Sequence, residues 1–150
     1  MNQAKLLREN TRILECHLGN INKTGSCCCG ISEPECFVLV EIGRKPNISV
    51  KELAEILRLD KSGVSRTVEE LVQKDYVERK PSTEDRRFVV LNLTLKGKER
   101  FEKIENDMNR KFKEILDKIP VAKREQVIEA LELYNVACGE LERIKRGCLQ

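Results

Sequence analysis

From Ser49 to Thr94 the chain reads SVKELAEILRLDKSGVSRTVEELVQKDYVERKPSTEDRRFVVLNLT, and no other stretch limits the possible fold as tightly. It opens on a capping box, Ser49-Val50-Lys51-Glu52, in which a hydroxyl can accept from the N3 amide and a glutamate can reach back to the cap. Leu53, Ala54 and Leu57 give the helix that follows a buried face, and Leu59 is expected to pack in the turn. Asp60 caps a second helix over about 61–74, where Val64, Val68, Leu71 and Val72 mark one buried face. The apolar period then changes from that of a helix to that of a strand. Val77 to Lys80 forms a short strand, Pro81 to Arg87 a polar turn, and Phe88 to Leu93 a return strand with Val89, Leu91 and Leu93 in phase.

The order helix, turn, helix, strand, turn, strand is that of a winged helix-turn-helix, spanning about 32–94 once the preceding helix is included. That helix has Ser32 as N-cap, Glu33, Pro34 and Glu35 in its first turn, and an end near Gly43, with Pro46 blocking continuation. Phe37 and Val40 are expected to face the core, with Val38 or Leu39 beside them. Ahead of it, residues 2 to about 18 read as a helix striped by Leu6, Leu7, Ile13, Leu14 and Leu18, with Gly19 as its stop. Residues 19–32, GNINKTGSCCCGIS, read as a loop.

After the hairpin, Thr94 caps a helix to about Ile119, striped by Phe101, Ile104, Met108, Phe112, Ile115 and Ile119. Pro120 separates it from a last helix through about Lys145, striped by Val127, Leu131, Tyr134, Cys138 and Leu141. These stripes run past what a small winged domain needs to cover. The economical reading joins the segments about 2–18 and 95–147 in an intersubunit bundle. The fold class is therefore mainly α with a small β-wing, a winged helix-turn-helix with long dimerisation helices in a single domain over 1–150.

The second helix of the module is the one fitted to a DNA major groove. Lys61, Ser62, Ser65, Arg66 and Thr67 stand near its start. Arg66 is the preferred base reader, because a guanidinium can bond guanine through two donors. Lys61, Ser62 and Ser65 divide between phosphate and base edges. At the hairpin tip, Asp85-Arg86-Arg87 offers an arginine to the minor groove. Neighbouring strand residues point opposite ways. Arg86 is accordingly assigned outward to DNA, and Arg87 to an acid such as Asp85 that braces the wing. Bulk charge does not decide the matter: 28 basic residues against 25 acidic leave a net charge of +3. The argument for DNA rests on the order of elements.

This stretch resembles the MarR family of bacterial transcriptional regulators. The matching run extends from Leu53 through Glu99, and within it Asp85-x-Arg87, Leu91-x-Leu93-Thr94 and Gly97 are strongly typical. So is a recognition helix carrying Ser62, Val64, Ser65 and Arg66. The resemblance implies a homodimer on palindromic or near-palindromic operators in double-stranded DNA, dimerised through the first and last two helices. It implies that Asp85 and Arg87 hold the wing while the tip arginine reaches the minor groove. Most such proteins are repressors released by a small molecule, an oxidant or a metal. Ser82, Thr83 and Glu84 depart from the family pattern and leave this wing tip less basic than many.

Seven cysteines, Cys16, Cys27, Cys28, Cys29, Cys36, Cys138 and Cys148, are an odd count and argue against a disulfide scaffold. Three consecutive thiols followed by Cys36 point to sensing. The spacing is not that of a zinc finger, but thiolates suit soft ions, so arsenite, mercuric, copper or zinc ion is a candidate effector at two of Cys27, Cys28 and Cys29 plus Cys36. The fold implied by the resemblance puts that loop near the junction of dimerisation region and reading module. A helix start at Ser32 also favours thiolate and oxidation. Thiol oxidation and a small organic ligand with incidental cysteines stay open as alternatives. Cys16, Cys138 and Cys148 are possible additional thiols, Cys138 reading as a small buried hydrophobe. His17 reads as a lone surface histidine, and Tyr76 and Tyr134 as packing residues with one polar end.

No nucleophile is placed beside the single histidine and no Gly-rich phosphate loop precedes a lysine, so an enzyme is not expected. With neither a signal-peptide pattern nor a membrane-length apolar run, a cytoplasmic protein with no membrane partner is expected. A winged helix can also serve as a protein-interaction module, which is the alternative of another class.

Overall fold

A computed structural model of the chain describes residues 2–25 and 30–147. Its elements are α1 (Gln3–Gly25), α2 (Glu33–Arg44), α3 (Val50–Leu57), α4 (Lys61–Gln73), β1 (Val77–Pro81), β2 (Val89–Leu93), α5 (Leu95–Asp117) and α6 (Val121–Gly147). The fold is thus mostly helical with a two-stranded wing, as the sequence pattern implies. By contacts the chain divides into two compact units, Met1–Asn109 and Arg110–Gln150. No described helix is long and apolar enough to cross a membrane.

The first unit holds one apolar core. Leu39 and Ile42 of α2, Leu53 of α3, Val64, Val68 and Leu71 of α4, and Leu91 of β2 meet there, all essentially out of solvent. Phe101 and Ile104 of α5 pack against it from the edge. The valines and leucines expected on α4's inner face take it, Val72 being half-buried.

Local chemistry fixes the ends of these elements. At α2 the Ser32 hydroxyl accepts from the Glu35 amide and the Glu35 carboxylate accepts from the Ser32 amide, closing a full capping box. At α3 only half of the expected box forms. Ser49 Oγ accepts from the Glu52 amide at 3.1 Å, while the Glu52 carboxylate turns to Lys45 at 2.9 Å. Arg58 takes a left-handed φ of 56° and lets the Leu59 amide bond back to Ala54, which ends α3 and starts the turn into α4. Asp60 then caps α4, its carboxylate accepting from the Gly63 amide at 2.7 Å.

The hairpin is antiparallel, with Val77 opposite Leu93 and Pro81 opposite Val89. Thr94 links it to α5: its hydroxyl donates to the Asp75 carbonyl at 2.6 Å and accepts from the Gly97 amide at 3.0 Å. Capping needs only a backbone amide at position 97, but space requires that it be glycine. A Cβ there would strike the Tyr76 carbonyl oxygen.

Further expectations fail. Gly19 does not stop the first helix, which continues to Gly25, so residues 19–25 are helix and not loop. A glycine inside a helix costs only about 1 kcal/mol against alanine, and Gly19 does not adopt the positive φ of a capping glycine. Phe37 is 44% exposed, because α2 turns Val38, Leu39 and Ile42 inward instead. Leu59 is 54% exposed, standing outside the turn that its own amide helps to close. Val89, expected in phase with Leu91 and Leu93, is exposed too, since the wing has a covered face only at its base.

Apolar residues also stand unburied within each unit. On α1 these are Leu6, Leu7, Ile13, Leu14 and Leu18. In the second unit Leu131, Leu133, Val136, Leu141 and Ile144 of α6 are exposed, and Cys138 is half-buried where a buried residue was expected. That unit is stapled at its turn, where Arg124 donates to the Ile119 carbonyl at 3.1 Å and lies 3.5 Å from the Asp117 carboxylate.

Candidate nucleic-acid interface

Each residue of a helix turns by about 100°. With Val64, Val68 and Leu71 buried, the direction opposite them on α4 belongs to Arg66, with Ser62, Glu69 and Gln73 close by, all exposed. Ser65 is exposed on one flank, and Thr67 is half-buried on the other.

The hydroxyls on this face are not equivalent. Ser62 Oγ donates to Asp60 at 2.6 Å, and Thr67 Oγ1 donates to the Gly63 carbonyl at 3.1 Å. Both protons are committed inside the helix start, leaving those oxygens as acceptors only. The Ser62 bond and then the Gly63 amide hold the Asp60 carboxyl below its usual range, so the cap stays ionised. Lys61, Ser65 and Arg66 hold no hydrogen bond or ion pair among the described residues. Their donors are available to an incoming acceptor.

The hairpin tip separates its two arginines by a different route from the one the strand rule supplies. Residues 86 and 87 lie in the turn, not in a strand. Arg87 is folded back on Asp85, with Nε 3.1 Å and 3.2 Å from the two carboxylate oxygens and a terminal nitrogen 2.7 Å from one of them. The Arg87 amide also donates to Asp85, at 3.1 Å. These bonds depress the Asp85 carboxyl and raise the Arg87 guanidinium. So exposed a pair adds little to stability; its effect is to fix the loop. Ser82 and Phe88 close the loop neck, the Ser82 amide donating to the Phe88 carbonyl at 2.8 Å. Arg86 is left exposed, with no hydrogen bond or ion pair among the described residues.

Three supports of this surface were not read from the sequence. The Leu91 amide donates to the Ile48 carbonyl at 2.8 Å, so the residue before Ser49 lies against the wing as a single bridge. Asn47 and Asn92 exchange two bonds of 3.0 Å beside it. Arg79 of β1 reaches Glu69 of α4 at 2.7 Å, tying the wing to the outward face of the helix. One buried β-branched residue between Asn47 and Ser49 is too short a signal for a strand. The Glu69–Arg79 pair joins two elements whose mutual angle no local pattern reveals.

The candidate sensing thiols divide. Cys27, Cys28, Cys29 and Cys148 lie outside the described residues. Cys36 is 6% exposed and faces the core, Cys16 is exposed on α1, and Cys138 is half-buried on α6. Among the described residues no group of three His, Cys, Asp or Glu side chains could hold a metal ion. His17 is exposed. Tyr76 is a packing residue with one polar end: buried, with Lys96 4.5 Å above its ring and its hydroxyl accepting from Arg100 at 3.1 Å.

Comparison with known proteins gives a consistent result. The model of the MarR family matches residues 30–87. The HTH-type transcriptional regulator BilQ of Clostridium symbiosum is 32% identical over 103 residues, 69% of this chain and 72% of that one. Among solved structures, a MarR/EmrR family transcriptional regulator from Acinetobacter superposes with a TM-score of 0.75 at 26% identity, covering 93% of this chain and 99% of that one. Streptococcus pneumoniae FabT, solved in complex with DNA, shares the fold with a TM-score of 0.78 at 22% identity, covering 93% of this chain and 99% of its own.

Proposed function

Because the chain belongs to the MarR family of transcriptional regulators, and so is a DNA-binding protein and not an enzyme, we propose that it is a homodimeric repressor. It binds a palindromic or near-palindromic operator and is released by an effector. The observation that carries this reading is the outward face of α4, where Arg66 stands exposed with no hydrogen bond or ion pair among the described residues, while Lys61 and Ser65 at the same helix start are equally available. Arg66 reads a guanine edge in the major groove. Lys61 and Ser65 contact phosphate and base edges, and Ser62 and Thr67 serve as acceptors. Arg86 enters the minor groove, aimed by the Asp85–Arg87 brace. The unburied leucines and isoleucines of α1 and α6 supply the dimer seam, since apolar side chains of this number lose the most free energy if left in water.

The effector is a thiophilic ion, arsenite, mercuric, copper or zinc, held by thiolates among Cys27, Cys28 and Cys29 with Cys36. Cys36 faces the core, so its recruitment requires the start of α2 to move. Ligand capture and displacement of the reading unit then become one event. The test is a titration of the reduced protein–operator complex with each ion, in the unaltered protein and in a variant with Cys27, Cys28 and Cys29 changed to Ser and Cys36 to Ala. The ion that acts is expected to release DNA from the unaltered protein and not from the variant. Release that survives in the variant sinks the thiolate reading. Release by peroxide alone, lost in the variant, points to oxidation. Release by neither leaves an organic ligand as the effector class.

A further inference from the structure

We propose that Glu35 and Lys74 form a clamp that positions the recognition helix, making this pair a determinant of operator affinity at a distance from the reading face. Glu35 is the one charged residue of the described chain in the buried set, at 2% exposure. It belongs to none of the groups assigned to DNA or to an effector. A carboxylate is not carried into a core without a partner, and the partner here comes from the far end of α4.

Lys74 is the C-cap residue of α4. Its ammonium lies 2.7 Å and 2.9 Å from the two Glu35 oxygens and donates to the Gly30 carbonyl at 2.8 Å. An ammonium has three donors, and these three contacts account for all of them. Lys74 is therefore not a free cation awaiting a phosphate. Glu35 is fixed from its own side as well, accepting from the Ser32 amide at 2.6 Å within the α2 capping box. Burial pushes its carboxyl up, but the bonds from Lys74 and Ser32 and the charge of Lys74 together hold it lower than usual, so it remains ionised.

The same helix end is held from its other side. The Lys74 carbonyl accepts from Lys96 Nζ at 2.8 Å, and the Asp75 carbonyl accepts from Thr94. The last turn of α4 is thus pinned between the start of α2 and the start of α5. A helix of 13 residues pivots about its fixed end, so slack at Lys74 moves Arg66 relative to the wing. Lys74 is itself exposed, and the helix C-terminus would be served equally well by any lysine there. Burying the carboxylate under it adds geometric restraint, which is what a reading head needs.

The test pairs two readouts. In Glu35→Leu/Lys74→Met no buried charge is stranded, so the fold is expected to persist. The Lys74, Asp75 and Tyr76 amides, which bond back to Glu70, Val72 and Leu71, are expected to exchange with deuterium about tenfold faster than in the unaltered protein, as for a locally loosened element. Operator affinity is expected to fall about tenfold, the worth of one misplaced base contact, with non-specific DNA binding unchanged. Should the double variant not fold, Glu35→Gln keeps the Ser32 contact and the volume and must show the same pair of changes. Unaltered exchange overturns the clamp, and unaltered operator affinity with altered exchange overturns its role in operator binding. The operator part rests on the regulator reading: an unaltered protein with no sequence preference removes that reading, while the exchange rates still decide whether the pair positions α4.

Discussion

Arg66→Ala is expected to bind its operator about thirtyfold or more weakly than the unaltered protein, with a much smaller fall in non-specific affinity from the lost charge. The magnitude follows from geometry and symmetry. A two-donor contact to guanine is worth about 1–3 kcal/mol, and a dimer makes it once per half-site, so at least about 2 kcal/mol is at stake. Arg66 makes no hydrogen bond or ion pair with a described residue and lies opposite the buried face of α4, so its removal leaves the core intact and isolates the contact. Arg66→Lys is expected to recover the electrostatic share and not the specificity, because an ammonium cannot present the two parallel donors of the guanidinium. Fluorescence anisotropy with operator and scrambled duplexes at one fixed salt concentration separates the two shares. Operator binding by Arg66→Ala within a factor of two of the unaltered protein would remove Arg66 from the reading face.

The largest effect on stability is expected at Gly97. Its amide donates to the Thr94 hydroxyl, and its bare Cα lies against the Tyr76 carbonyl. That carbonyl also accepts from the Thr94 amide at 3.1 Å. A Cβ at Gly97 meets backbone, which cannot rotate aside as a side chain can, so the start of α5 must lift from the α4–β1 junction. Gly97→Ala is expected to cost about 3 kcal/mol, the upper part of the usual range for overpacking, read as a lowered urea midpoint by circular dichroism. Gly19→Ala is the control. Nothing lies within 4 Å of its Cβ position, it is inside α1, and the change is expected to be neutral or stabilising by up to about 1 kcal/mol. Equal effects at the two glycines would contradict the packing account of Gly97.

The contrast between these glycines shows what a sequence exposes and what it hides. Glycine is permitted almost everywhere, so Gly19 looked like a helix stop although nothing in the chain required one. The caps at Ser32, Asp60 and Thr94 were legible because each acts over three residues, and the Asp85–Arg87 brace because it acts over two. The alternation of Leu91 and Leu93 and the spacing of Val64, Val68 and Leu71 were legible because periodicity reports burial directly. Burial at Phe37 and Leu59 was not, since it depends on how far a neighbouring element extends. The pairs Glu35–Lys74 and Glu69–Arg79 were hidden for the same reason. Each links residues with no local relation, and in the sequence all four are ordinary surface charges. The surface proposed to read DNA was therefore visible as residues, whereas the supports that aim it became visible only in three dimensions.

Selection of duplexes from a random pool by the purified, reduced protein tests the central claim most directly. A dimer reading through two copies of α4 is expected to enrich an inverted repeat whose half-sites have centres about one helical turn, roughly 10 base pairs, apart, with Arg66→Ala losing the enriched guanine in both halves. Recovery of no sequence preference, or of a preference without two-fold symmetry, would contradict it.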